Sequence, residues 1–164
     1  MKIKPCPRAS AGSMRRRALL LLAAAALAVA VGSAPIQAAP IAFRDAMDDS
    51  PLNVKLKPGE ALTPALEQFY ATGIDPYLGN AEAIAAGKAL FAEFCQVCHM
   101  PDATGRIGPN LVDDVYNYKR TSTDVGMFEV LYAGAAGAMR SLADRLTQDQ
   151  MLRVIAFVRS LKQK

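Results

Sequence analysis

Histidine and cysteine are scarce in this chain of 164 residues, which has one of the first and three of the second. Cys6 precedes a long apolar run, so Cys95, Cys98 and His99 are what remains for metal or redox chemistry in the body of the chain. They are too few for a closed zinc site, which takes four ligands. A Ser/His/Asp or Cys/His nucleophile cannot be assembled once the one histidine is committed elsewhere. Strand-like alternation and hairpin signals are missing, and so is the βαβ pattern that accompanies a thioredoxin-type Cys-x-x-Cys pair. The longest apolar run, residues 18–31, has 14 residues, short of the roughly 20 that a membrane span needs. A basic excess is also missing where it would matter. Six of the 19 basic residues and none of the 15 acidic ones fall within residues 1–38, which leaves 13 against 15 and a net charge of −2 beyond them. That balance argues against a nucleic-acid surface.

Residues 1–38 read as a signal peptide. A basic stretch leads into the apolar run, and small residues follow up to Ala38. Cutting after Ala39 would leave Pro40 next, so Ala38 is the better site. The mature protein is therefore expected to be exported and soluble, with no membrane insertion after the leader is removed. The remaining 126 residues, 39–164, allow one domain around one core.

Residues 39–79 are dense in proline and glycine, which limits regular structure to short pieces. One short helix is legible there, with Thr63 as cap, Pro64 in the first position and Gly73 at the end. The rest reads as an irregular arm lying on residues 80–164. In that second part Asn80 caps a helix running to Phe94, with Ile84, Gly87, Phe91 and Phe94 on one face. A second helix is expected over 124–133 with Gly134 at its end. A third is expected from Thr147, which forms a capping box with Gln150, to about Lys162. The fold class is all-α.

The chemistry sits in Cys95-Gln96-Val97-Cys98-His99. Two thioethers and an adjacent imidazole are what hold a haem c covalently and ligate its iron. The spacing suits one helical turn at the end of the first long helix. The expected cofactor is one haem c, bound by Cys95 and Cys98 with His99 on the iron.

The opposite iron ligand follows by elimination. A second histidine is absent, Met1 and Met14 belong to the leader, Met47 to the arm, and Met100 adjoins His99. Met127 and Met151 fall in apolar helical stripes, where a core role is the simpler reading. Met139, in the glycine-rich segment 134–139, is the expected ligand, and Met127 is the runner-up. Methionine opposite histidine raises the haem potential.

These motifs resemble class I cytochromes c: the Gly87 and Phe91 helix, the haem motif, Gly108-Pro109-Asn110-Leu111, Met139, and a last helix with Phe157 and Leu161. More narrowly, residues 99–114, 123–129 and 73–80 resemble cytochrome cL. The resemblance implies a small haem-wrapped helical fold and a periplasmic electron carrier rather than an enzyme. It implies a pyrroloquinoline-quinone methanol dehydrogenase as donor, the lanthanide-dependent type being most similar, and a downstream cytochrome c or oxidase as acceptor. It also implies that the Pro109 carbonyl accepts the Nδ1–H of His99, and that Gly87 and Phe91 pack on the last helix near Phe157. Where the family often has proline after its ligand methionine, this chain has Arg140, a candidate partner for a haem propionate. Tyr116, Tyr118, Lys119 and Arg120 are further candidates at the haem border. The acidic pairs Asp48-Asp49 and Asp113-Asp114 are weaker candidates for calcium than for solvated surface.

Two other readings stay open. One is an acceptor for a different quinoprotein alcohol dehydrogenase, and the other is a haem enzyme or sensor with an open iron face.

Overall fold

The computed structural model describes residues 41–162. The proposed leader and its cleavage point lie outside those residues. Among the described residues the regular structure is helical, apart from isolated bridges at Arg44–Pro51 and Gly134–Arg140. No described helix is long and apolar enough to cross a membrane.

Helix α1, Pro64–Thr72, starts where Thr63 accepts the Leu66 N–H and stops at Gly73, whose φ of 73° suits glycine. Helix α2, Ala81–Phe94, starts at Asn80, whose side chain accepts the Ala83 N–H at 2.9 Å. Helix α2 stops at Phe94, where the sequence places its end, and the haem motif does not prolong it. Cys95 leaves helical geometry at φ −121° and ψ −36°, and a separate four-residue turn, α3 (Gln96–His99), follows. The Cys95 carbonyl closes that turn by accepting from both Cys98 and His99, at 3.1 and 3.0 Å. A 3-10 turn at Lys119–Ser122 went unforeseen and leads into α4, Asp124–Ala133. Helix α5 spans Gln148–Lys162. Its Thr147/Gln150 capping box is formed in both directions, at 2.8 and 3.2 Å.

The frame is the crossing of α2 and α5. A Cβ at Gly87 would lie 1.9 Å from the Arg153 carbonyl oxygen, so the two backbones touch. Phe91 and Phe157 meet beside the crossing with ring centroids 5.3 Å apart. Residues 41–79 form part of the core instead of resting on it: Leu66 and Phe69 are fully buried. Phe43, Phe69 and Phe128 pack as one aromatic group, with Phe128 at 5.4 and 5.1 Å from the other two. Glu129 is also fully buried. It accepts from the Arg44 backbone N–H at 2.8 Å and from the Arg120 guanidinium at 2.8 and 2.6 Å, which satisfies its charge.

Candidate functional site

A cavity of about 490 Å³ opens between α2, α4, α5 and the loops joining them. That is within the roughly 300–1,000 Å³ of cofactor sites. Cys95, Cys98 and His99 line it, together with Pro109 and Met139. Its apolar wall comes from Phe91, Phe94, Leu111, Val130, Leu131, Leu142, Val154 and Val158.

His99 is buried, and its Nδ1 lies 2.9 Å from the Pro109 carbonyl oxygen. A carbonyl only accepts, so Nδ1 carries the hydrogen, and in the neutral ring Nε2 keeps its lone pair. The loop that brings Pro109 there wraps around the Cys98 carbonyl. That oxygen receives the N–H groups of Arg106, Ile107 and Gly108 at 3.0 to 3.2 Å. Gly108 is required for a plain steric reason. A Cβ at that position would come within 2.6 to 2.9 Å of three atoms of the His99 ring.

Cys95 and Cys98 are both free thiols, and Cys95 is buried. Burial pushes the Cys95 thiol up to about 11. Burial in the apolar wall favours the neutral form of this sulfur. A thioether at the same place carries no charge and tolerates the apolar wall. The donor set fits a thioether-linked haem: two cysteine sulfurs, one of them buried, one oriented imidazole, and methionine thioethers on the same cavity.

Met139 and Met127 both line the cavity, whereas Met151 is buried without lining it. Lining alone thus keeps both candidates. Met139 lies in a loop whose base is closed by the Ala135 N–H donating to the Met139 carbonyl at 2.8 Å.

The expected border groups divide. Tyr116, Tyr118 and Arg140 line the cavity; Lys119 does not, and Arg120 is spent on Glu129 and Asp49. Arg145 and Arg159 were not foreseen as lining residues. Arg145 lies over the Phe94 ring at 4.7 Å, a contact no local pattern announces. Arg159 follows the α5 stripe by one position from Val158, the nearest thing to a signal. It is held by Asp124 at 2.9 Å and by the Ser122 carbonyl at 3.0 Å. The acidic pairs take ordinary partners: Asp48 accepts from the Ser50 N–H, Asp49 pairs with Arg44, Asp113 accepts from the Val115 N–H, and Asp114 pairs with Lys162.

Comparison with known proteins places this geometry. The family described as cytochrome c oxidase, cbb3-type, subunit III matches residues 82–158. A curated cytochrome c-L of Methylorubrum extorquens is 37% identical over 122 residues, covering 74% of this chain and 62% of its own length. The chain thus spans under two thirds of that relative. The crystal structure of cytochrome cL from Methylophaga aminisulfidivorans superposes with a TM-score of 0.71 at 38% identity, over 73% of this chain and 80% of that one. Cytochrome cL from Hyphomicrobium denitrificans gives 0.67 at 36%, over 74% and 73%.

Proposed function

The chain belongs to the cytochrome c-L family, with the class I c-type fold, and from that membership we propose a periplasmic carrier that takes single electrons from a pyrroloquinoline-quinone methanol dehydrogenase. Haem c, the cofactor of this family, supplies a one-electron iron couple when bound. One observation carries the reading: the Cys95–His99 turn opens onto an apolar cavity with His99 pinned to Pro109 at 2.9 Å.

Each residue then has a role. Cys95 and Cys98 would hold a bound haem through thioethers. His99 would offer Nε2 to the iron, with the Pro109 carbonyl fixing the ring and raising its basicity. Met139 would offer a thioether as the second ligand, and the aliphatic wall would exclude water. A chain that supplies both ligands suits an electron carrier. In this reading residues 1–38 are the leader, 39–79 the arm and 80–164 the haem domain. A downstream cytochrome c or oxidase takes the electron away.

The donor rests on the family and on the length of the match, which extends beyond the haem domain into residues 73–80. Stopped-flow mixing of the oxidised protein with reduced methanol dehydrogenase tests it. Fast reduction is expected. Failure there, with fast reduction by another quinoprotein alcohol dehydrogenase, would move the assignment to that donor.

A further inference from the structure

The loop that carries Met139 is fastened unevenly. Its base is closed by backbone: the Gly134–Arg140 bridge and the Ala135 N–H to Met139 carbonyl bond. Its tip, residues 136–138, is exposed, and Gly137 turns there with φ +78°. Among the described residues, one side-chain hydrogen bond reaches that tip. The Ala136 N–H donates to the Tyr118 hydroxyl at 3.1 Å.

Tyr118 is itself held from below. Its carbonyl accepts the N–H and the hydroxyl of Thr121, at 2.9 and 2.7 Å, and so anchors the 3-10 turn. That turn cannot drift from α4. A Cβ on Gly126 would lie 1.9 Å from the Arg120 carbonyl oxygen, and the Arg120 side chain grips buried Glu129. A rigid support thus carries a tyrosine that lines the cavity and whose hydroxyl ties down the outer half of the loop.

We propose that Tyr118 is a positioning residue for Met139, keeping the loop closed over the cavity through its bond to the Ala136 N–H; the inference rests on Met139 being the iron ligand. A thioether is a weak donor, and it stays on iron only while its loop is held against competing ligands. A loop closed at the base alone opens at lower cost than one also tied at its tip. Removing one hydrogen bond of ordinary net strength shifts such an equilibrium by about five-fold.

The test is imidazole titration of the ferric holoprotein, followed through the weak near-infrared sulfur-to-iron band. Tyr118→Phe is expected to retain covalent haem and to bind imidazole about five-fold more tightly than the parent. Tyr116→Phe is the control, since Tyr116 also lines the cavity but its hydroxyl bonds Lys162. It should titrate like the parent. Met139→Ala should lack the band before any imidazole is added. Parent-like affinity in Tyr118→Phe, or an equal gain in Tyr116→Phe, overturns the positioning role while leaving the ligand assignment intact. A band that survives in Met139→Ala overturns the ligand assignment itself. If Tyr118→Phe does not accumulate, Ala136→Pro removes the same donor from the loop side and should give the same gain; parent-like affinity there also overturns the role.

Discussion

One backbone oxygen decides what His99 offers, because the Pro109 carbonyl claims Nδ1 and leaves the Nε2 lone pair free. Met139 and Met127 both line the cavity, and of the two Met139 is the proposed second ligand. With Met139 as ligand, Met139→His keeps two strong donors on the iron but lowers the potential by roughly 100 mV or more, since 59 mV corresponds to about 1.4 kcal/mol for one electron. Met127→Leu conserves core volume and should leave spectrum and potential unchanged. Redox titration of the two variants checks this, and the reverse outcome names Met127. A second residue, Asp75, is nearly fully buried, with Oδ1 accepting the Tyr77 N–H and Oδ2 without a partner. Burial, with Asp124 and Asp149 nearby, pushes its carboxyl up to about 7. Between its ordinary value of 3.8 and about 7, the folded protein holds a proton that the unfolded chain has released. Stability therefore falls as pH rises through that window, and the full penalty applies above it. Asp75→Asn removes the titration. It should be more stable than the parent at pH 8, by on the order of 2 kcal/mol. The difference should vanish near pH 4, as urea midpoints at the two pH values will show.

At the scale of elements, α2 and α5 meet at Gly87, and no room exists for a side chain there. Alanine normally favours a helix over glycine by about 1 kcal/mol. At Gly87 the clash with the Arg153 carbonyl outweighs that preference, because backbone cannot swing aside as a long side chain can. Gly87→Val should lower stability by about 3 kcal/mol. Thermal unfolding of the holoprotein measures it, and a parent-like midpoint would mean that the helices part more easily than their packing implies. The break at Cys95 is the other decisive feature of this scale. The φ of −121° and ψ of −36° at Cys95 start a separate turn there, and its first carbonyl accepts from Cys98 and His99.

At the scale of the molecule, residues 41–79 are bound into the core by Phe43, Leu66 and Phe69, and by the bond from Arg44 to Glu129. Removing them would expose that core, so a docking role for the surface is better tested one side chain at a time. Ile107 and Val115 are 66% and 72% exposed, and both sit on the cavity lining. Val97, 68% exposed, precedes Cys98. Exposed aliphatic side chains around the rim of the cavity suit a brief, close contact with a donor. On the proposed donor, Ile107→Ser should slow reduction by methanol dehydrogenase several-fold and leave reduction by a small chemical donor unchanged. If charge steers that encounter, the dehydrogenase rate should also fall as salt rises, because exposed charges are screened over about 10 Å at 0.1 M. Stopped-flow rates across ionic strength check both, and an unchanged protein-donor rate in Ile107→Ser would take the docking contact elsewhere.

The amino-acid sequence by itself determined the longer helices, because Thr63, Asn80, Thr147, Gly73 and Gly134 act on neighbours a few residues away. It also determined the haem motif, whose five residues lie within about one turn. The elimination that left Met139 as the expected ligand drew on the single histidine and on where each other methionine falls in the chain. Tertiary structure alone decided what depends on distant segments meeting. Glu129 carries no local signal of burial; Arg44, 85 residues away, and Arg120, nine residues away, meet it in the folded chain. Arg120 reads as a haem-border cation until that same pairing removes it. Met127 reads as a core side chain until α4 is laid along the cavity, and the Tyr118 hydroxyl has no partner until the loop at 134–139 folds back beneath it. Spacing records local geometry, whereas burial and pairing across many residues are properties of the packed chain.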